Sequence, residues 1–327
     1  MNTFSTHTLR LLAVAALTMG MILPGASGCK KKEATVVEAA PTPTPQPPSG
    51  IVVYTIGGHL SRVDLQAGTL LPLTTGRSTE WFPSCSPSGH EVVFWSNSGT
   101  NIYNLWKVDI NGTQRVRLTE NPTDLLPAMA QNLYLNNAPA WSPDGKRICY
   151  SASGDLWEID NEGFNPRTLL AGHDAYSPAY APKESSLIFV SAGDGPVNNL
   201  YKLNLTDYTV SKLTSYTDWN VGSPSYSSDG TKILFVLYRE NVSQIYAMNA
   251  DGTGSSNLTT DNASLCPKFA QADTKVVYCA PSDDSTLNVY MMTSIGTDKK
   301  MMTSLGGTSP SWAAFLPVAP IPTPVNP

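Results

Sequence analysis

One short pattern recurs along this chain: a proline, then any residue, then an aromatic residue or cysteine. Successive copies are separated by 39 to 56 residues. The six prolines are Pro83, Pro139, Pro178, Pro224, Pro267 and Pro310. A recurrence near 43 residues is the period of β-propeller blades, each of which is one four-stranded sheet. The repeat therefore predicts an all-β ring of similar units.

The segments between the prolines have the features of short strands and tight turns. Asp144-Gly145 and Asp229-Gly230 follow two of the copies, and Asp-Gly between apolar stretches is a strong hairpin signal. A β-branched or aromatic run follows the first five copies, at 92–94, 148–150, 187–189, 233–235 and 276–278. Further apolar pairs and a closing Leu-Thr, as at Leu118-Thr119, complete four antiparallel strands per unit.

The two ends of the repeat region complement each other. No further strand pattern follows the last copy at Pro310, whereas residues 51–54, 60–63 and 71–74 match strands two, three and four of a unit without its first strand. Joining the fragments makes a sixth blade, in which the C-terminal strand pairs with the three N-terminal strands. Residues 51–316 then form a six-bladed propeller, with about 44 residues per blade, and leave no open sheet at the seam.

The unit from Trp141 to Tyr150, with Ser142-Pro143-Asp144-Gly145 at its turn, resembles the blades of the TolB-like propeller repeat family. The resemblance covers residues 51–316, and it implies a non-catalytic, protein-binding scaffold at the bacterial cell envelope. TolB itself carries an α/β domain before its propeller. Here only 21 residues separate Cys29 from Ile51, so we expect that domain to be lacking.

Residues 1–28 have the pattern of a secretory signal peptide. Arg10 precedes an apolar run over 11–23, which is too short to span a bilayer. Ala26-Ser27-Gly28-Cys29 resembles a lipobox, which implies that Cys29 is lipidated and holds the protein on a membrane. An ordinary signal peptide cut near Gly28 is the alternative. Because Lys30 follows the cysteine, the resemblance implies the periplasmic face of the outer membrane.

Proline-rich segments flank the predicted propeller. Residues 29–50 contain alternating prolines from Pro41 to Pro48, a composition that favours an extended linker. Residues 317–327 are a second proline-rich segment, which we expect to be a disordered tail. We assign no chemistry to either segment.

Cysteine placement suits an oxidising compartment. A hairpin centred on Ala272-Asp273 would place Cys266 opposite Cys279, which predicts a disulfide between them. The alternative is a pair of buried thiols that act as small apolar side chains. Whether Cys85 and Cys149 pair stays open.

Motifs for catalysis are absent from the sequence. It contains no Gly-x-Ser-x-Gly and no His-Glu-x-x-His, and the histidines after the signal peptide (His59, His90 and His173) are scattered. We therefore expect no catalytic residues, no metal site and no cofactor. The alternative is an enzyme of carbohydrate or lactone chemistry in the ring's channel, such as a metal-dependent lyase or lactonase. A net charge of −5 disfavours nucleic acid as a partner.

The sequence also predicts a binding face at one end of the ring. Loops between blades and between second and third strands meet at one end of the ring, and they carry aromatic side chains that suit an envelope protein or a cell-wall glycan. The residues of this predicted binding face are Trp81, Tyr134, His173, Tyr176 and Trp219. The alternative is that Trp81, Tyr176 and Trp219 cap the seams between blades. We expect a monomer.

Overall fold

The computed structural model describes residues 50–98, 100, 102–120 and 136–313, and within these ranges the chain forms β-strands and no α-helix. No helix long and apolar enough to cross a bilayer occurs in this part of the chain. The predicted signal peptide, lipidated Cys29, linker, tail and Tyr134 lie outside the described residues.

The strands run in chain order. The first three are β1 (Ile51–Ile56), β2 (His59–Asp64) and β3 (Thr69–Pro72). The next eight are β4 (Glu80–Cys85), β5 (Glu91–Ser96), β6 (Asn104–Asp109), β7 (Val116–Arg117), β8 (Ala140–Trp141), β9 (Arg147–Ala152), β10 (Asp155–Asp160) and β11 (Arg167–Leu170). Then follow β12 (Tyr176–Tyr180), β13 (Ser186–Ser191), β14 (Asn199–Asn204), β15 (Val210–Lys212), β16 (Asn220–Tyr226), β17 (Lys232–Arg239), β18 (Val242–Asn249) and β19 (Ser256–Asn257). The last five are β20 (Leu265–Ala270), β21 (Lys275–Pro281), β22 (Leu287–Thr293), β23 (Lys300–Met301) and β24 (Thr308–Ala313).

These strands form six four-stranded antiparallel sheets, the blades of a propeller. Blade 1 has the order β24-β1-β2-β3, and blades 2 to 6 are β4–β7, β8–β11, β12–β15, β16–β19 and β20–β23. The inner strands are β24, β4, β8, β12, β16 and β20, and neighbouring inner strands contact each other around the axis. The predicted six-bladed fold is confirmed.

Closure of the ring in blade 1 is also as predicted. The C-terminal strand β24 pairs with β1, with Val52 opposite Trp312 and Val53 opposite Ser311. Gly50 leaves room for the Trp312 ring, because a Cβ there would lie 2.0 Å from that side chain. The two ends of the repeat region therefore share one sheet, so the blade at the seam has all four of its strands.

The hydrophobic core is divided among the seams between neighbouring blades. Each of the six seams holds one cluster of buried side chains. The seam between blades 1 and 2 joins Ile51 and Val53 to Val92 and Phe94, all of them fully or almost fully buried. Burial of such a side chain contributes about 1.5–3 kcal/mol. The seams therefore tie the two ends of the chain to both neighbouring blades.

The closing Leu-Thr of a blade has a structural role. The threonine hydroxyl accepts a hydrogen bond from the backbone N–H at the start of the third strand, as between Thr214 and Leu200 at 2.9 Å. The other pairs with this bond are Thr74 with Leu60, Thr119 with Leu105, Thr259 with Ile245, and Thr303 with Val289. The hydroxyl thus gives a hydrogen-bond partner to a buried backbone N–H that the short outer strand does not reach.

A β-bulge interrupts the inner strands at the repeated proline. The residue before proline has positive φ in β4, β12, β16, β20 and β24, namely Phe82, Ser177, Ser223, Cys266 and Ser309. The pairing register shifts at the same place in each of these strands. Because proline cannot donate to a ladder, a bulge is where a sheet accepts it. The proline therefore lies inside the inner strand.

This bulge bears on the predicted disulfide. After the bulge, Lys268 lies opposite Val277, which is the register that the disulfide prediction assumed. Before the bulge the register is shifted by one residue, so Leu265 lies opposite Cys279 in place of Cys266. Both cysteines are buried, and the predicted disulfide between them is not shown by the described structure. Cys85 and Cys149 are free thiols that pack in different seams.

Candidate functional site

The two tryptophans of the predicted binding face are partly buried in seams. Trp81 is the second residue of β4 and packs against the cluster between blades 2 and 3. Trp219 precedes β16 and packs against the cluster between blades 4 and 5, with the Arg239 guanidinium 5.5 Å from its ring centroid. Both therefore stabilise the ring, and they present only part of their surface to a ligand.

His173 and Tyr176 do lie together, between blades 3 and 4. His173 is exposed, and its Nδ1 lies 2.8 Å from the Ala171 carbonyl oxygen. Tyr176 begins β12, and its hydroxyl donates a hydrogen bond to Asp174 at 2.7 Å. Burial, together with the neighbouring Asp174 carboxylate, raises the pKa of Tyr176 to about 12. The phenol therefore stays a neutral donor throughout the physiological range.

An open cavity of about 680 Å³ adjoins these residues, and we call it the His173 cavity. It lies where the turn after β9 and the turn after β13 meet the segment before β12. Its lining includes His173, Asp155, Asp174, Asp194 and Tyr201. Asp155 accepts a hydrogen bond from the Gly172 N–H at 2.8 Å, which holds that segment against blade 3. The result is an acidic, open site with one aromatic wall.

A second cavity, of about 620 Å³, lies between blades 2 and 3, and we call it the Trp157 cavity. Its lining includes Tyr150 and Trp157 as the aromatic part and Arg117 and Glu120 as the charged part. Arg117 and Glu120 form an ion pair. Ser153 and Asp155 line both cavities, so the two adjoin each other at the upper face, the end of the ring where the inner strands begin.

Sequence reasoning missed the residues of the Trp157 cavity for a simple reason. Tyr150 and Trp157 lie in the middle of β9 and β10, where an aromatic residue is the expected strand former. Each is paired opposite the other across the hairpin. Whether they line a cavity depends on how blade 2 packs against blade 3, and the sequence does not give that packing.

Glu80 begins the inner strand β4 and therefore lies at the upper face, but it is not available to a ligand. Its side chain is fully buried, and it accepts hydrogen bonds from Thr74 at 3.0 Å and from Arg115 at 3.2 Å. His59 Nδ1 lies 3.0 Å from the same carboxylate. The Arg115 guanidinium also lies 4.8 Å from the Trp106 ring centroid. This network joins blades 1 and 2, so His59 has a structural partner.

Across the described ranges, no group of three or more His, Cys, Asp or Glu side chains is arranged to hold a metal ion. The acidic residues of the His173 cavity instead bond to neighbouring groups of the loops, as Asp155 and Asp174 do. The cavities place hydrogen-bond acceptors beside aromatic side chains, and this arrangement suits the binding of a ligand.

Comparison with known proteins places these features in a family context. Residues 168–315, which include β12 to β24, match the TolB beta propeller domain model, PD40. The chain is a TolB-like six-bladed β-propeller. TolB from Acinetobacter baumannii has a crystal structure with a TM-score of 0.66 to this propeller and 20% sequence identity, covering 81% of this chain and 66% of that one. At that identity the likeness concerns the fold alone.

Two relatives are both named Tol-Pal system protein TolB. The protein of Nitratidesulfovibrio vulgaris is 26% identical over 176 residues, which cover 52% of this chain and 35% of the relative. The protein of Anaeromyxobacter sp. is 31% identical over 111 residues, which cover 33% of this chain and 25% of the relative. The chain thus spans about a third or less of the relatives that it matches.

Proposed function

We propose that this TolB-like propeller is a non-catalytic scaffold that binds an envelope protein through its upper face and is held at the membrane by a lipid on Cys29. The relatives' name, Tol-Pal system protein TolB, supports an envelope role. The lipobox-like sequence before Cys29 supports the anchor and the outer-membrane location. A protein partner suits a rigid ring whose loops display side chains at one end.

The observation that carries this proposal is the pair of adjoining cavities at the upper face. The His173 cavity supplies carboxylates and the Tyr201 ring, and the Trp157 cavity supplies Tyr150 and Trp157. Aromatic surface beside fixed acceptors can hold a peptide segment by stacking and by a few hydrogen bonds. The acidic residues favour a segment that carries lysine or arginine.

A site-specific crosslinking experiment tests the binding face. A photoreactive amino acid is placed at His173, and in a matched variant at Ile295. Ile295 is 76% exposed and lies in the turn after β22 in blade 6, outside the lining of both cavities. Crosslinking is done in intact cells with the full chain.

We expect position 173 to capture a defined envelope protein that position 295 does not capture. Asp155→Asn together with Asp194→Asn should reduce the yield at position 173 several-fold while thermal unfolding is unchanged. Equal capture from both positions, or a yield that is unaffected by the two substitutions, would contradict this assignment of the binding face.

The lipid anchor has its own test. Cys29→Ser should abolish incorporation of labelled fatty acid and move the protein from the membrane fraction to the soluble fraction after cell breakage. Sucrose-gradient separation of the two membranes then reports the outer-membrane assignment. A Cys29→Ser protein that still takes up label would refute lipidation at this residue.

A further inference from the structure

The described chain enters the propeller at the end of the ring opposite the upper face, which we call the lower face. Ile51 begins β1 and lies opposite Ala313, the last residue of β24. Because β24 begins at the upper face, its last residue lies at the lower face. The linker that would connect a lipid on Cys29 to the ring therefore joins it at Gly50, on the lower face.

The turns between third and fourth strands lie at the lower face as well, because the third strand of a blade runs in the same direction as the inner strand. Three of these turns carry a large exposed apolar side chain, and we call these residues the lower apolar tips. They are Phe164 in blade 3, Tyr208 in blade 4 and Ile295 in blade 6, which are 68%, 47% and 76% exposed.

The turn of blade 4 does not itself favour a tyrosine. The Tyr208 N–H donates to the Asn204 carbonyl at 2.9 Å, just as the Gly68 N–H donates to the Asp64 carbonyl at 2.8 Å in blade 1. Both donors have positive φ, which is 59° for Tyr208 and 65° for Gly68. A bulky side chain costs energy in that conformation, whereas glycine adopts it freely. Strain of this kind points to a role outside the turn.

The turn of blade 3 lacks a hydrogen bond that other turns make. Directly after the turn glycine, Thr253 of blade 5 donates its hydroxyl to Asp251 at 2.7 Å. In blade 6 the hydroxyls of Thr297 and Thr293 bond to each other at 2.7 Å. Phe164 occupies the same position after its glycine, and its side chain cannot make such a bond. An apolar ring thus replaces a hydroxyl that closes the turn.

Ile295 also takes the place of a polar residue. It directly precedes the turn glycine of blade 6, and the same position holds Asn111, Glu162 and Asp251 in blades 2, 3 and 5. A largely exposed isoleucine buries little apolar surface in the ring, so packing within the propeller does not account for it.

The distribution of the lower apolar tips indicates the kind of partner. Phe164 and Ile295 lie three blades apart, on opposite sides of the ring. A peptide segment or a small ligand contacts one side of a ring, whereas a flat surface contacts both sides at once. Charges of both signs lie beside the tips, as Asp207, Asp298 and Lys299 do. This mixture does not select anionic headgroups, which leaves apolar contact as the attraction.

We propose that the lower face lies on a lipid surface with neutral headgroups, with the lower apolar tips in the headgroup layer, and that the upper face points away from the membrane. Aromatic side chains such as Phe164 and Tyr208 suit that layer, where apolar and polar surroundings meet. This inference rests on the proposed lipid anchor, and it adds the orientation in which the ring is held. The cavities of the upper face are then open to a protein partner.

The test uses the full-length lipidated protein in vesicles of phosphatidylcholine. A photoreactive amino acid is placed at Phe164, at Ile295 or at Leu305, and lipid adducts are measured by mass spectrometry after irradiation. Leu305 is the matched control, because it is 81% exposed and lies between β23 and β24, at the upper face. The protein comes from cells grown with labelled fatty acid, so the same sample reports whether Cys29 is lipidated.

We expect the yield of lipid adduct at positions 164 and 295 to be at least fivefold higher than at position 305. In a second series the photoreactive amino acid is at Tyr208. Phe164→Glu together with Ile295→Glu should lower the adduct yield there at least threefold, whereas Leu305→Glu should leave it unchanged. Thermal unfolding shows that these variants fold.

Labelled protein with equal adduct yields at all three positions, or with no adduct at 164 and 295, would overturn the orientation and leave the anchor intact. Unlabelled protein with adducts at 164 and 295 alone would support the lower face as a membrane surface and refute the anchor. Unlabelled protein without adducts would refute both. A yield that rises severalfold when phosphatidylglycerol is added would contradict the choice of neutral headgroups.

Discussion

Glu80 and Lys268 both lie on inner strands of the ring, in β4 and β20, but their surroundings differ. Glu80 is fully buried and is matched by Arg115, by His59 and by hydroxyl donors. Lys268 keeps part of its surface accessible and has no counter-charge within the described residues. Removing one partner from a buried, fully paired charge leaves the other uncompensated and is costly, whereas a poorly exposed charge without a partner already costs stability.

The largest expected effect comes from breaking the Glu80 network. Glu80→Gln removes the negative charge that Arg115 and His59 face, and it should lower the free energy of unfolding by about 3 kcal/mol. Urea denaturation followed by tryptophan fluorescence measures the change. Glu184→Gln is the control, because its ion pair with Lys202 is largely exposed and should contribute no more than about 1 kcal/mol. Equal losses for the two variants would mean that burial adds nothing to the Glu80 network.

A smaller loss should follow Arg115→Lys, which keeps the charge but removes the planar guanidinium. The lysine cannot both bond to Glu80 and stack over Trp106, so we expect a loss of about 1.5 kcal/mol. Urea denaturation of Arg115→Lys, of Glu80→Gln and of the double variant gives the coupling between the two sites. Strictly additive losses would show that Arg115 acts independently of Glu80.

The smallest effect should have the opposite sign. Lys268→Met removes an unpaired, partly desolvated charge, and at neutral pH it should raise the free energy of unfolding by about 1 kcal/mol. Because the pKa of Lys268 is lower in the folded than in the unfolded chain, the folded chain loses this proton first as the pH rises, and between the two pKa values the unfolded chain binds more protons than the folded chain. The wild type should therefore gain stability relative to Lys268→Met up to the unfolded pKa of about 10.4.

Urea denaturation of both proteins at several pH values between neutral and about 10 tests this expectation. The difference in stability between them should shrink as the pH rises. A Lys268→Met protein that is less stable than the wild type at neutral pH would show that Lys268 already has a partner, and it would remove the contrast with Glu80.

Much of the architecture could be predicted because it depends on local pattern. The proline repeat predicts the number of blades, and the unmatched strands at 51–74 together with Pro310 predict which blade the two ends share. The Leu-Thr pairs mark the blade ends because each threonine hydroxyl satisfies a nearby backbone donor. In each case the physical cause lies within one blade or one strand pairing.

The site could be predicted only in part. His173 and Tyr176 share one loop, so the sequence could place them together, whereas Trp81 and Trp219 are drawn into seams by neighbouring blades. The disulfide prediction used a correct register up to the bulge and was displaced by one residue beyond it. A single residue with positive φ before Pro267 changes which side chains face each other, and a regular two-residue strand period does not include that shift.

The sequence by itself determined the number of units, their strand content and the joining of the two ends, because strand period, turn residues and repeat length are local properties. Tertiary structure alone decided which charges find partners. The sequence does not show which charged residue has a partner. In the folded ring Glu80 meets Arg115 of its own blade and His59 of blade 1, whereas Lys268 has no ion pair within the described residues. Ion pairing depends on distances between residues that are far apart in the chain, and those distances are set only when the strands have paired and the blades have packed.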